Sequence, residues 1–190
     1  MQPIILNSYY ARIAVLLALS LFFNLQPTDA QAQCLSLSEL EDLTPSDGSI
    51  NDSYGYAIAV SGDRIVVGAR SKDDNGTNAG AAYVYDYNAG TDSWDETRLT
   101  PTDASAGQQF GASVSLSGDR VVVGAYGDDE NGSRSGSAYV FDYDGSWSQT
   151  AKLTASDGAA DDEFGFSVSV SGNRIAVGAY ADDQRGGLHP

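Results

Sequence analysis

FGASVSLSGDRVVVGAY, residues 110–126, decides the fold. Over 110–117 it alternates small or apolar residues with serine, the period of two that marks a β-strand. Gly118-Asp119 supplies a tight turn, because glycine adopts the positive φ that a two-residue hairpin needs. Residues 120–126 then run as a β-branched segment. Downstream, the polar loop GDDENGSRS leads to 136–143 (GSAYVFDY), and Asp144-Gly145 turns the chain into 146–153 (SWSQTAKL). The unit is thus four short antiparallel strands joined by turns. No stretch beyond residue 32 keeps the i, i+3, i+4, i+7 apolar spacing of a helix over three turns.

The same unit occurs three times. LTPSD at Leu43 returns as LTPTD at Leu99 and as LTASD at Leu153, a period of about 55 residues. SGDRIVVGAR, SGDRVVVGAY and SGNRIAVGAY coincide, followed by KDDNG, GDDENG and ADDQRG. This divides the chain into repeats over 43–98, 99–152 and 153–190, the last cut short before a counterpart of GSAYVFDY. Residues 36–43 (SLSELEDL) match the fourth strand, so 33–42 holds a possible closing strand. In GSAYVFDY, Ala138 and Val140 point to one face and Tyr139, Phe141 and Tyr143 to the other. A sheet apolar on both faces must be covered on both. Four-stranded sheets stacked around an axis, a β-propeller, meet that demand, whereas a two-sheet sandwich leaves alternate positions polar.

Phe110-Gly111 with Gly124-Ala125-Tyr126, and Phe164-Gly165 with Gly178-Ala179-Tyr180, resemble FG-GAP repeats, the units of the integrin α-subunit propeller and of many exported microbial proteins. Tyr54-Gly55 and Gly68-Ala69-Arg70 form a looser third match. The resemblance covers about residues 36–187 and implies an all-β fold of β-propeller type, here an incomplete arc of about three four-stranded antiparallel blades. It also implies a binding or adhesion module. The chain departs from the integrin pattern in two places. The interval between FG and GAP is only SVSLSGDR or its equivalent, with one acid and no DxDxDG calcium loop. Arg or Tyr also stands where the motif has Pro.

Charge narrows the partners. The chain has 190 residues, with 26 Asp and Glu against 10 Lys and Arg and a net charge of −16. Such a surface repels nucleic acid. The only histidine is His189 and the only cysteine Cys34, so Ser-His-Asp and Cys-His pairs and His or Cys zinc sites lack their parts. No catalytic, cofactor-binding or metal-binding residue is assigned. Calcium is the one cofactor weighed, on the acidic loops Asp73-Asp74-Asn75-Gly76, Asp128-Asp129-Glu130-Asn131-Gly132 and Asp182-Asp183. Adjacent acids lack the alternating spacing of a tight calcium loop and read first as solvated turn residues. Asp161-Asp162-Glu163 is the densest acidic run. It has no counterpart in the other copies and reads as a solvated corner rather than a glycosidase pair. Tyr83, Tyr85 and Tyr87, with Tyr139, Phe141 and Tyr143, form an aromatic ladder that serves blade packing or sugar and protein recognition.

Residues 1–32 read as a secretory signal. Arg12 precedes the apolar run 13–23 (IAVLLALSLFF), and Ala30-Gln31-Ala32 fits a small-x-small cleavage site. That run falls short of the roughly 20 residues needed to span a bilayer. Export follows, to a secreted or cell-surface location, with no membrane span in the mature chain. Cys34 lacks the preceding residues of a lipidation site. Asn51, Asn75 and Asn131 stand in N-x-S/T sequons. A three-blade arc leaves edges uncovered, so the chain reads as a fragment of a longer frame or as a self-assembling unit. The function expected is an exported, non-catalytic binding or adhesion module with an extracellular protein or carbohydrate ligand. The alternatives are a calcium-stabilised matrix repeat and, less favoured, a secreted hydrolase.

Overall fold

Each repeat folds into a sheet because its β-branched runs are separated by turns that only glycine or a short polar residue closes. A computed structural model describes residues 13–14 and 42–182 of the chain. A short pair comes first, β1 (Ile13–Ala14) antiparallel to β2 (Asp42–Leu43). Blade 1 holds β3 (Tyr54–Ser61), β4 (Arg64–Ala69), β5 (Ala81–Asn88) and β6 (Ser93–Leu99). Blade 2 repeats it with β7 (Ser113–Ser117), β8 (Arg120–Ala125), β9 (Ser137–Tyr143) and β10 (Trp147–Leu153). In blade 3 the described residues give β11 (Phe164–Ser171) and β12 (Arg174–Ala179). Both complete sheets are four-stranded antiparallel meanders in chain order. Among the described residues there is no helix, and hence none long and apolar enough to cross a membrane. The signal reading of 1–32, its cleavage site and Cys34 lie outside the described residues except for Ile13–Ala14. Of the closing strand only Asp42–Leu43 is described.

The innermost strands line up, with β7 touching β3 on one side and β11 on the other. Blade 2 is therefore the middle layer, and its two apolar faces meet different neighbours. Val121, Val123, Tyr139 and Phe141 face blade 1, packing with Val66, Ala82, Val84, Leu99 and Phe110. Val122, Ala138 and Val140 face blade 3, against Val168, Val170, Ile175 and Val177. The alternation of GSAYVFDY across two faces is the stacking expected from sequence. Each fully buried valine contributes about 2 kcal/mol. On the leading side of blade 1, Leu43 of β2 packs with Ile65, Val67, Tyr83 and Tyr85. Val60 is nevertheless 64% exposed on β3, while its counterparts Leu116 and Val170 are buried by the preceding blade.

The FG dipeptide does not begin the inner strand of blade 2, as the period-two reading of 110–117 had it. This strand starts at Ser113, whereas β3 and β11 start at Tyr54 and Phe164 although their glycines take a positive φ as Gly111 does. Phe110 pairs with Gly80 of the preceding blade in a parallel bridge, and Phe164, which also pairs with Ala179 within blade 3, makes the same bridge to Gly136. Phe110 N–H donates to the Ala79 carbonyl at 3.0 Å and Phe164 N–H to the Ser135 carbonyl at 3.0 Å. The GAP glycine explains itself here. A Cβ on Gly68 would stand 1.9 Å from the Gly111 carbonyl oxygen, and one on Gly124 would stand 2.0 Å from that of Gly165. FG of one blade therefore clasps GA of the blade before it, backbone against backbone. The alternating serines complete this seam. Ser113 Oγ donates to the Gly165 carbonyl, while Ser115 and Ser117 Oγ accept from the N–H groups of Val170 and Gly172.

Candidate functional site

Antiparallel order places two kinds of loop at one end of every blade: the connection from the last strand into the next FG, and the connection from GAP into the third strand. All the acidic runs singled out in the sequence lie at this loop end. Asp73, Asp74, Asp129, Glu130, Asp161 and Asp182 are exposed, but Asp128 and Asp162 are buried. Asp128 is buried, and its Oδ2 accepts from Tyr139 Oη at 2.8 Å and from Gln108 Nε2 at 2.8 Å. Lys152 Nζ stands 2.6 Å from Asp103 Oδ2, 3.2 Å from Asp128 Oδ2 and 2.5 Å from Glu130 Oε2. A pocket of about 400 Å³ opens over this group. Burial alone would raise the Asp128 pKa. The Tyr139 hydroxyl, the Glu130 backbone N–H and the Lys152 ammonium outweigh it and hold the carboxyl below the usual range.

Blade 1 builds the same cluster with charges exchanged. Lys72 takes the place of Asp128 and Asp52 that of Gln108, and Lys72 Nζ lies 3.1 Å from Asp52 Oδ2. Arg98 Nη1 bonds Asp47 Oδ2 at 2.8 Å and Asp74 Oδ2 at 2.7 Å, and Tyr83 Oη donates to Asp47 Oδ1 at 2.7 Å. In both copies the carboxylates surround an ammonium or guanidinium of the chain itself. Among the described residues no group of three or more His, Cys, Asp or Glu is placed to hold a metal ion. Asp73 and Asp129 close their own loops, accepting from the N–H groups of Asn78 at 2.8 Å and Arg134 at 2.7 Å. Asp182 is exposed, and Asp183 lies outside the described residues.

Asp161-Asp162-Glu163 is only in part the solvated corner read from sequence, since Asp161 is exposed. Asp162 is buried, and its Oδ2 accepts from Ala159 N–H at 2.7 Å. Asp52 does the same for Ser49 at 2.7 Å and Gln108 for Ser105 at 3.0 Å. The three residues occupy one position of the repeat and staple the loop that enters FG. Their kinship was hidden because an amide replaces a carboxylate in copy two. Glu163 pairs with Arg134. The aromatic ladder divides. Tyr83, Tyr85, Tyr139 and Phe141 are buried, whereas Tyr143 is exposed at the opposite end. The asparagines of the three sequons are all exposed.

The exposed aromatics that sequence reasoning passed over stand beside the clasp. Arg70 Cζ lies 3.9 Å from the Tyr56 ring centre, and its Nη1 donates to Tyr126 Oη at 3.1 Å. Tyr126 meets Phe166 at 5.7 Å between ring centres, and Phe166 stacks on Tyr180 at 4.8 Å. The result is an unbroken row across all three blades: Tyr56, Arg70, Tyr126, Phe166, Tyr180. Tyr56 is 51% exposed, Phe166 44% and Tyr180 74%, whereas Tyr126 in the middle of the row is buried. The signal was present as the residue that closes each GAP and the one that follows each FG. Its meaning depended on the clasp bringing those positions together.

Comparison with known proteins agrees with this construction. No curated protein matches the chain. The FG-GAP repeat family matches it three times, over 37–85, 94–141 and 147–189. These segments contain the Tyr54-Gly55, Phe110-Gly111 and Phe164-Gly165 hooks and the glycines they clasp. With well over half its length matched in three successive copies, the chain belongs to the FG-GAP repeat family.

Proposed function

We propose that the chain is an exported, non-catalytic binding or adhesion module that takes an extracellular protein or carbohydrate ligand on the loop end of its propeller arc. The observation that supports this is the aromatic row from Tyr56 to Tyr180. Large aromatic side chains left in water, as Tyr56, Phe166 and Tyr180 are around the buried Tyr126, mark a recognition surface more often than chance exposure. The polar groups beside it favour binding over chemistry, because among the described residues the buried carboxylates of Asp52 and Asp128 are committed to lysine and tyrosine partners and that of Asp162 to a backbone N–H. Export rests on the apolar run 13–23 and the Ala30-Gln31-Ala32 site.

The test uses the full chain on beads against immobilised collagen, fibronectin, cellulose and chitin. Saturable retention on one of these surfaces is expected, reduced about tenfold in a Phe166→Ala, Tyr180→Ala double variant of unchanged melting temperature. Equal retention of that variant, or no retention on any of the four, overturns the reading.

A further inference from the structure

At the other end of the blades a second, separate site lies between blades 1 and 2, where the hairpin turns at Asp63 and Asp119 approach each other. A pocket of about 370 Å³ opens there, lined by Asp63, Arg64, Asp86, Tyr87, Asp119 and Tyr143. That volume falls in the range of small-ligand sites. Arg64 is fixed as its floor. The guanidinium lies 4.9 Å from the Tyr143 ring centre and 4.7 Å from that of Trp147. Its Nη1 donates to Asp119 Oδ1 at 3.0 Å and to the Gly118 carbonyl at 2.8 Å, and its Nε pairs with Asp86. Asp86 also accepts from Trp147 Nε1 at 3.3 Å. Blade 2 thus clamps an arginine of blade 1, and the polar floor is set before any ligand arrives.

Asp63 is the exception. Its counterpart Asp119 is taken by Arg64, but no hydrogen bond or ion pair among the described residues engages the Asp63 carboxylate. The pocket therefore offers two free acceptor oxygens beside two tyrosine rings, above a floor whose own groups are paired. Hydroxyl donors satisfy the carboxylate, and the C–H face of a sugar ring suits an aromatic wall. An apolar ligand would bury the Asp63 carboxylate without a partner. An anion meets three carboxylates against one guanidinium. Arg64 already balances Asp86 and Asp119, so the field left for a cation is that of one exposed carboxylate.

We infer that the pocket between blades 1 and 2 is a binding site for one or two residues of a neutral saccharide, with Asp63 accepting from its hydroxyls and Tyr143 flanking its ring. The site is independent of the aromatic row at the loop end.

The experiment titrates the full chain with methyl β-glucopyranoside, methyl α-mannopyranoside and methyl N-acetyl-β-glucosaminide, followed by saturation-transfer NMR and calorimetry. Spermine serves as the cationic arm. Saturable binding of at least one glycoside is expected, weakened about tenfold by Asp63→Asn and unchanged by Tyr180→Ala. Asp63 lies on an exposed turn, so its variant keeps the fold, and an unchanged melting temperature verifies this. Failure of all three glycosides, binding indifferent to Asp63→Asn, or an Asp63-dependent signal from spermine alone overturns the inference. Retention on beads lost only in the loop-end variant leaves this site out, so the two readings fail separately.

Discussion

An added Cβ at Gly124 would stand 2.0 Å from the Gly165 carbonyl oxygen, whereas one at Gly118 would have nothing within 4 Å. Both glycines look alike in sequence, but the first is constrained by a neighbouring blade and the second only by its own φ of +57. Gly124→Ala is therefore expected to cost about 3 kcal/mol, since backbone on both sides must move. Gly118→Ala is expected to cost about 1 kcal/mol, the strain of a left-handed residue. Urea midpoints of the two variants compare them directly, and equal losses would mean that the clasp does not hold the blades together. Residue identity was legible where one residue type alone fits, as at these glycines. It was illegible where two types do the same work. Asp52, Gln108 and Asp162 each offer one oxygen to a backbone N–H three residues earlier. Lys72 and Asp128 exchange charge within one cluster, so neither announced its role.

At the scale of strands, position in the stack decides stability. Blade 2 is covered on both faces, so β8 and β9 contain residues with no solvent contact, including Val121, Val122, Val123 and Tyr139. Blade 1 leaves Ile58 and Val60 in water on β3. Amide exchange is expected to be slowest in β8 and β9 and faster in β3 and β12, following the buried contacts that local opening must break. Phe110→Ala is expected to cost about 4 kcal/mol, because the ring is fully buried between Tyr139 and Phe141. Denaturation that lowers stability no more for Phe110 than for the half-exposed Phe166 would contradict this ordering. Strand order, turns and the double-faced character of GSAYVFDY were all readable from period and repeat. The start of β7 was not: β3 and β11 begin at their dipeptides as the period of two has it, and nothing in 110–117 marks β7 as the shorter strand.

For the whole molecule, charge sets the pH range of stability. Asp47, Asp128 and Asp142 have pKa values below the usual carboxylate range. In Asp47 and Asp128 burial opposes the shift, and hydrogen bonds from tyrosine hydroxyls with nearby cations overcome it; in Asp142 the Arg120 hydrogen bond leads. A depressed acid stabilises the fold above its unfolded pKa and loses that contribution as pH falls through the folded value. Stability should therefore decline below about pH 4. Tyr54 is pushed up to about 12 by burial, and Tyr83, Tyr85 and Tyr139 also rise, chiefly through burial. Lys152 rises because Asp103, Glu130 and Asp128 overcome its desolvation. Raised groups stabilise fully below their unfolded pKa and lose that contribution as pH climbs, so a second decline should begin above about pH 10. Urea midpoints from pH 2 to 12 are expected to show a plateau between those limits. Stability that rises as pH falls from 7 towards 4 would show instead that relief of the −16 net charge dominates. The clasp carries one more consequence. Its bonds join backbone N–H groups to backbone carbonyls where glycines let the blades approach, so it recognises that a neighbour is of the same kind without reading which copy it is. A gene segment duplicated by unequal recombination would enter the row with its docking surface already made. Individuality is then free to accumulate at the positions flanking the clasp, where Tyr56, Ala112 and Phe166, or Arg70, Tyr126 and Tyr180, already differ between sister copies.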